Sequence, residues 1–139
     1  MPTFLQPLLR KASGHCTLVN ARTGEVVAHT IIAAFDSSSR RTGLLKHGGL
    51  AEGSAMVIAP SNAIHTFFMK FPIDVAFVGR DGRVNKIREA VPPWRISAAW
   101  RAYAVIELPA GTLARAGVVV GDSVVVRPAD ASNITTTPA

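Results

Sequence analysis

Ile73-Asp74-Val75-Ala76-Phe77-Val78-Gly79-Arg80-Asp81-Gly82-Arg83-Val84-Asn85-Lys86-Ile87-Arg88 is the stretch on which the fold turns. Its first six residues are apolar on nearly both faces, the pattern of a central strand covered above and below. Asp81-Gly82, set between β-branched runs, is hairpin turn chemistry. In the returning strand, Arg83 to Arg88, the apolar residues Val84 and Ile87 lie three apart. A clean period of two fails there, which predicts a bulge or a short strand.

Outward from this hairpin the chain keeps the same grammar. On the N-terminal side, His15 to Val19 reads as a first strand, Asn20 to Gly24 as a turn, and Glu25 to Thr30 as a second strand whose apolar run continues to Phe35. Asp36-Ser37-Ser38-Ser39 supplies caps for a short helix through Arg40, Arg41, Leu44 and Leu45, which Gly48-Gly49 ends. Ala55 to Ile58 is a strand stopped by Pro60, and Ile64 to Met69 is another. On the C-terminal side, Glu89 to Trp100 carries Pro92-Pro93 and reads as a loop. Tyr103 to Leu108 is a strand, and Thr112 to Ala116 one helical turn. Val118 to Val120 and Ser123 to Arg127 flank a second tight turn at Gly121-Asp122. The tally is mainly β, a small β-sandwich or partly closed barrel of about eight short strands with two short helices. Residues 1–14 are expected as an extension, 15–127 as a single β-rich domain, and 128–139 as a disordered polar tail.

Composition agrees with a packed domain and narrows the chemistry. The chain has 139 residues, 48% of them hydrophobic and 17% charged, enough to bury a core without disulfide or metal. Its one cysteine, Cys16, cannot form an internal bridge and reads as a small buried strand residue. The N-terminal basic pair Arg10-Lys11 follows its short apolar run, the reverse of a secretory leader, and no run is long enough to span a membrane. The expectation is a cytoplasmic protein. A net charge of +6 favours acidic partners or anionic surfaces without specifying one.

The densest polar candidate runs from His65 to Asp74. It places an imidazole, the Lys70 ammonium and the Asp74 carboxylate within one short stretch beside the expected core. A buried Asp74 must be paired or hydrogen-bonded. On a strand here, His65, Phe67 and Met69 would share one face, and Thr66, Phe68 and Lys70 the other. Glu107 is a second carboxylate, at the end of an apolar strand, and paired carboxylates can do acid–base work. The four histidines, His15, His29, His47 and His65, show no metal-ligand spacing, and no phosphate loop or nucleophile motif is present. Neither a metal nor a cofactor is expected. A basic stretch holds Arg80, Arg83, Lys86, Arg88, Arg95 and Arg101, with Trp94 and Trp100 between them. Basic groups interleaved with stacking aromatics suit single-stranded nucleic acid, but the favoured reading is a solvated hairpin rim with the tryptophans folded over a core edge.

Several of these segments fall together in order: Arg41-Thr42-Gly43-Leu44-Leu45, Met56-Val57-Ile58, Phe68-Met69-Lys70, Pro72 to Phe77, Asp81-Gly82, Val105-Ile106-Glu107, Ala110-Gly111 and Gly121-Asp122. From about Cys16 to Val126 the chain resembles the bacterial and archaeal family known as domain of unknown function 192. The resemblance implies a compact, mainly β fold and supplies no activity. Its signature falls on Arg41, Met69, Lys70, Asp74, Glu107 and Asp122, either as internal salt bridges or as a shared polar pocket. The chain departs from the family at Leu45, at Phe68, and in the short link from Lys70 to Pro72. Many relatives look exported or membrane-tethered, whereas this chain is expected to lack their leader.

The leading expectation is a non-catalytic domain that binds a small ligand or a protein of an envelope or assembly system. Its ligand candidates are Arg41, His65, Met69, Lys70, Asp74 and Glu107. The first rival is a hydrolase-like enzyme using Asp74 and Glu107. The second is nucleic-acid binding through the 80–101 stretch, with Arg88, Trp94, Arg95, Trp100 and Arg101 as surface candidates. Nucleic acid ranks last among these partners.

Overall fold

The computed structural model describes residues 3–10, 16–36, 50–67 and 69–128. Among these, ten strands form three sheets, accompanied by two short helices. The elements are α1 (Gln6–Arg10), β1 (Cys16–Asn20), β2 (Val26–Ala28), β3 (Thr30–Ala34), β4 (Ser54–Ile58), β5 (Ala63–His65), β6 (Ile73–Val78), β7 (Val84–Val91), β8 (Ile96–Ala98), β9 (Ala104–Pro109), α2 (Thr112–Arg115) and β10 (Val124–Pro128). The expected helix around Arg41 and the tail beyond Pro128 lie outside the described residues.

A five-stranded sheet, ordered β3-β4-β9-β6-β7, is the centre of the molecule. All six residues of β6 are buried, and so are all six of β9 beside it. The mainly β expectation therefore holds, and β6 is the doubly covered strand its composition calls for. No barrel closes. The pair β3–β4 is parallel while the others are antiparallel. A parallel pair needs a crossover of a dozen or more residues, and the chain between Ala34 and Ser54 supplies it.

Each face of this sheet has its own core. On one face Ala55, Val57, Ala76, Val78, Ile106 and Leu108 pack against Leu18, Val27, Val124 and Val126 of the three-stranded sheet β10-β1-β2. Leu5, just ahead of α1, joins this core at 2% exposure, so residues ahead of the expected domain start belong to the packed body. On the other face Met56, Ile58, Ile73, Val75, Phe77 and Val105 pack under Ile64 and Met69. There the cover is the two-stranded sheet β5-β8 with its loops.

The hairpin turn forms at Asp81-Gly82, with Gly82 at φ 88°. A side chain at Gly82 would also run into the Val124 carbonyl oxygen and the Phe4 side chain, so glycine is needed for clearance as well as for conformation. The expected irregularity in β7 is present as two register shifts against β6. In the second shift Ile73 pairs with Val91 and Val75 with Arg88, so β7 carries an extra residue and Ala90 takes φ 48°.

Four expectations need correction. The apolar run 25–35 is broken at His29, whose N–H bonds to the Gly53 carbonyl, and its halves join different sheets. The strand expected over Ile64–Met69 ends at His65, because Thr66 turns its backbone and hydroxyl to residues 92–95. The loop expected over Glu89–Trp100 contains the end of β7 and all of β8. Val118 to Val120 forms no strand: Val118 packs into the core, while Val119 and Val120 stand exposed.

Asp122 ties the end of β1 to the turn before β10. It accepts hydrogen bonds from Asn20 Nδ2 (3.0 Å), Arg22 Nε (2.6 Å) and the Val119 N–H (3.0 Å). Arg22 and the Val119 N–H hold its carboxyl far below the usual carboxylate range. A depressed carboxylate contributes stability above its unfolded pKa and loses it as pH falls. Asp122→Ala should therefore lower the melting temperature by several degrees at pH 7, and the deficit should shrink below about pH 4. Parallel melts of wild type and variant at pH 7 and pH 3 test this; an equal deficit at both would contradict it.

Candidate functional site

The polar residues expected to converge are dispersed. Asp74 is fully buried on β6, on the face shared with Ala76 and Val78. Its Oδ1 accepts the Ala90 N–H (2.9 Å), the group that the β7 bulge turns away from the ladder. Its Oδ2 accepts the Leu113 N–H at the start of α2 (3.0 Å). Both oxygens are thus committed to backbone groups that the fold would otherwise leave unmet.

Glu107 lies on β9 and pairs in register with Val75 on one side and Met56 on the other. Val75 belongs to the second core, and Asp74, one residue earlier, points to the first. Successive strand residues face opposite ways, so the sheet separates the two carboxyls. The hydrolase-like reading, which needs them beside one substrate, fails on this register. Glu107 is 5% exposed, and its Oε2 has no hydrogen-bond partner. Burial pushes its carboxyl up to about 7.

The other candidates fall elsewhere. Met69 is buried in the second core, Lys70 is exposed, and Arg41 lies outside the described residues. No group of three His, Cys, Asp or Glu side chains that could hold a metal occurs among the described residues. No helix of the described residues is long and apolar enough to cross a membrane.

What does gather is a surface. The sheet β5-β8 pairs Ala63 with Ala98, Ile64 with Ser97 and His65 with Ile96. Ile64 and Ser97 turn inward, and Ser97 Oγ is buried without a partner. Outward, along one continuous segment, stand Trp94 (56% exposed), Ile96 (68%), Ala98 and Trp100 (80%). His65 and Phe67 extend the row: their rings lie 5.1 Å apart, and Phe67 stacks on Trp94 at 5.6 Å and 29°.

Trp94 holds its place through backbone strain. Its φ is 68°, a conformation that disfavours bulky residues. Thr66 maintains it. The Thr66 carbonyl accepts the Trp94 N–H (3.0 Å), its hydroxyl donates to the Pro92 carbonyl (2.7 Å), and the Arg95 N–H donates to that hydroxyl (2.8 Å). Backbone strain of this kind clusters at functional sites, which makes Trp94 a candidate.

Cations flank both ends of the row. Beside Trp94, Arg95 is exposed and its Nη1 donates to the Trp94 carbonyl (3.3 Å); Arg88 is exposed on β7. Mid-row, Lys86 Nζ donates to the Ala98 carbonyl (2.8 Å). At the far end Arg101 lies 5.2 Å from the Trp100 ring centre and Arg80 lies 4.5 Å from that of Tyr103. Arg80, Asp81, Arg101, Ala102 and Tyr103 line an open cleft of about 540 Å³. The surface candidates Arg88, Trp94, Arg95, Trp100 and Arg101 are all exposed on this stretch. Ile96, Phe67 and the Arg80–Tyr103 cleft were not among the candidates. The signal for Ile96 is in the sequence, since Trp94, Ile96, Ala98 and Trp100 recur with a period of two.

Comparison with known proteins adds a family and two structures. The family profile described as DUF192, an uncharacterized ACR, matches residues 18–126. A candidate transcription regulator from Sinorhizobium meliloti 1021 is 28% identical, with a TM-score of 0.68 over 80% of this chain and 91% of that one. A protein of unknown function from Novosphingobium aromaticivorans DSM 12444 is 25% identical, with a TM-score of 0.65 over 79% of this chain and 82% of that one. No curated protein matches the chain.

Proposed function

The chain belongs to the DUF192 family, and from its exposed aromatic and basic face we propose that it is a non-catalytic binding domain for a negatively charged partner. The observation that carries this reading is the outward row Trp94, Ile96 and Trp100, with arginines at both ends. Large apolar groups exposed together mark an interaction site more often than a neutral surface. The cations around them set the sign of the partner.

The commitment of both Asp74 oxygens to backbone N–H groups argues for binding rather than acid–base chemistry at that position. The similar S. meliloti structure is described as a candidate transcription regulator, a role in which an anionic partner would be expected.

Both tryptophans of the chain lie in this face, so intrinsic fluorescence reads it directly. Titration with inorganic polyphosphate should change the emission saturably, and the effect should weaken as salt screens the charges. In the double variant Arg95→Ala, Arg101→Ala the response should fall at least tenfold in affinity, because both ends of the row lose a cation. Wild-type emission that stays constant with polyphosphate and with every other polyanion tried would count against the reading.

A further inference from the structure

We infer that the anionic partner of this face is single-stranded nucleic acid, stacked on the Trp94 and Trp100 rings with its phosphates against the flanking arginines. This rests on the reading above and commits it to one occupant.

The argument starts from what the row offers. Its exposed groups are mainly ring faces: Trp100 at 80% exposure, Trp94 at 56%, and the His65 and Phe67 rings continuing from Trp94. A base presents a planar π-face of matching size, and stacking of this kind is tolerant of sequence. In a duplex those faces are already stacked on one another, so exposed rings favour unpaired strands.

Charge points the same way. Between residues 80 and 101 the exposed cations Arg80, Arg83, Arg88, Arg95 and Arg101 face only two exposed carboxylates, Asp81 and Glu89. One oxygen of Asp81 is engaged by the Arg83 N–H (3.0 Å). An acidic peptide could satisfy the cations as well. The spacing favours a strand of alternating rings and charges, because each exposed tryptophan has an arginine next to it in sequence. Arg101 lies over one face of the Trp100 ring, 5.2 Å from its centre, which leaves the opposite face for a base and sets a cation beside the stack.

Geometry sets the length. Trp94 and Trp100 are six residues apart, at most about 20 Å along an extended chain. A strand of several nucleotides is long enough to reach both rings at that span. The open cleft between Arg80 and Arg101 extends the path past Trp100.

The test uses the full chain and four probes: a fluorescently labelled oligothymidylate of roughly ten nucleotides, a duplex of equal length, inorganic polyphosphate and polyglutamate. Anisotropy should show the single strand binding at least tenfold tighter than the duplex. Its log–log salt slope should be roughly −2 to −3, the value for three to four neutralised phosphates. Trp94→Ala and Trp100→Ala should each weaken the single strand by about tenfold and leave polyphosphate within about twofold, and Trp100→Tyr should restore most of the loss. Far-UV circular dichroism checks that the variants fold.

Equal affinity for oligothymidylate and polyphosphate, with no effect of the tryptophan variants, would overturn the inference and leave the anionic-face reading standing. Preference for polyglutamate over the oligonucleotide would overturn it in favour of an acidic protein. Failure of all four probes would remove the underlying reading as well.

Discussion

Asp74→Ala should destabilise the fold by about 3–5 kcal/mol, the largest single-residue loss expected outside the apolar core. The carboxylate is fully buried and accepts two backbone N–H groups, from Ala90 and Leu113. Hydrogen bonds to a charged acceptor contribute roughly 1.5–3 kcal/mol each, and a buried donor left unmet adds its own desolvation penalty. Alanine removes both acceptors at once. Leu113 is 1% exposed, so water cannot readily replace the lost partner there. Asp74→Asn keeps one acceptor oxygen and should lose roughly half as much. Urea unfolding is the measurement: the midpoint should fall with the m-value unchanged. A loss below about 1 kcal/mol in the alanine variant would show that the pin between β6, the β7 bulge and α2 is dispensable.

This pin shows where sequence reasoning reaches and where it stops. The burial of Asp74 and its need for hydrogen bonds follow from the apolar residues around it. The partners do not, since Ala90 lies sixteen residues away and Leu113 thirty-nine. The same limit hid the separation of Asp74 from Glu107. Each carboxyl sits on a readable strand, but which faces they share is decided by the β6–β9 register, which pairs Glu107 with Val75. Register is a long-range property that neither strand carries alone.

Other misreadings had local causes. Pro92-Pro93 suggested a loop through Trp100, and the loop assignment masked β8, whose Ile96 and Ala98 stand outward between the exposed Trp94 and Trp100 of the flanking turns. The run through His29 carries no glycine or proline to mark its break; the N–H groups of His29 and Thr30 both turn to the Gly53 carbonyl of a distant segment. By contrast the β6–β7 hairpin was legible because its signals are adjacent: a doubly apolar run, an Asp-Gly turn and a broken period in the return strand.

Glu107 makes the fold weaken as pH rises from about 4.5 to about 7. A glutamate in the unfolded chain titrates near 4.5, and burial raises the Glu107 carboxyl to about 7 in the fold. Between those values the native state holds a proton that the unfolded state has released. The unfolded chain then binds fewer protons, so the unfolding free energy falls as pH rises. The contribution is complete below about 4.5 and is gone above about 7. The gap of roughly 2.5 units corresponds to about 3 kcal/mol. Glu107→Gln, nearly isosteric and uncharged, should remove this slope. It should match wild type near pH 4 and exceed it by about 3 kcal/mol at pH 8. Taking the difference between the two proteins cancels every other titrating group, including Asp122, whose contribution changes in the acid range below about pH 4. Urea unfolding of both proteins in steps from pH 4 to pH 8 measures the difference. Parallel curves across that range would mean that the buried Glu107 carboxyl finds a compensating donor in solution.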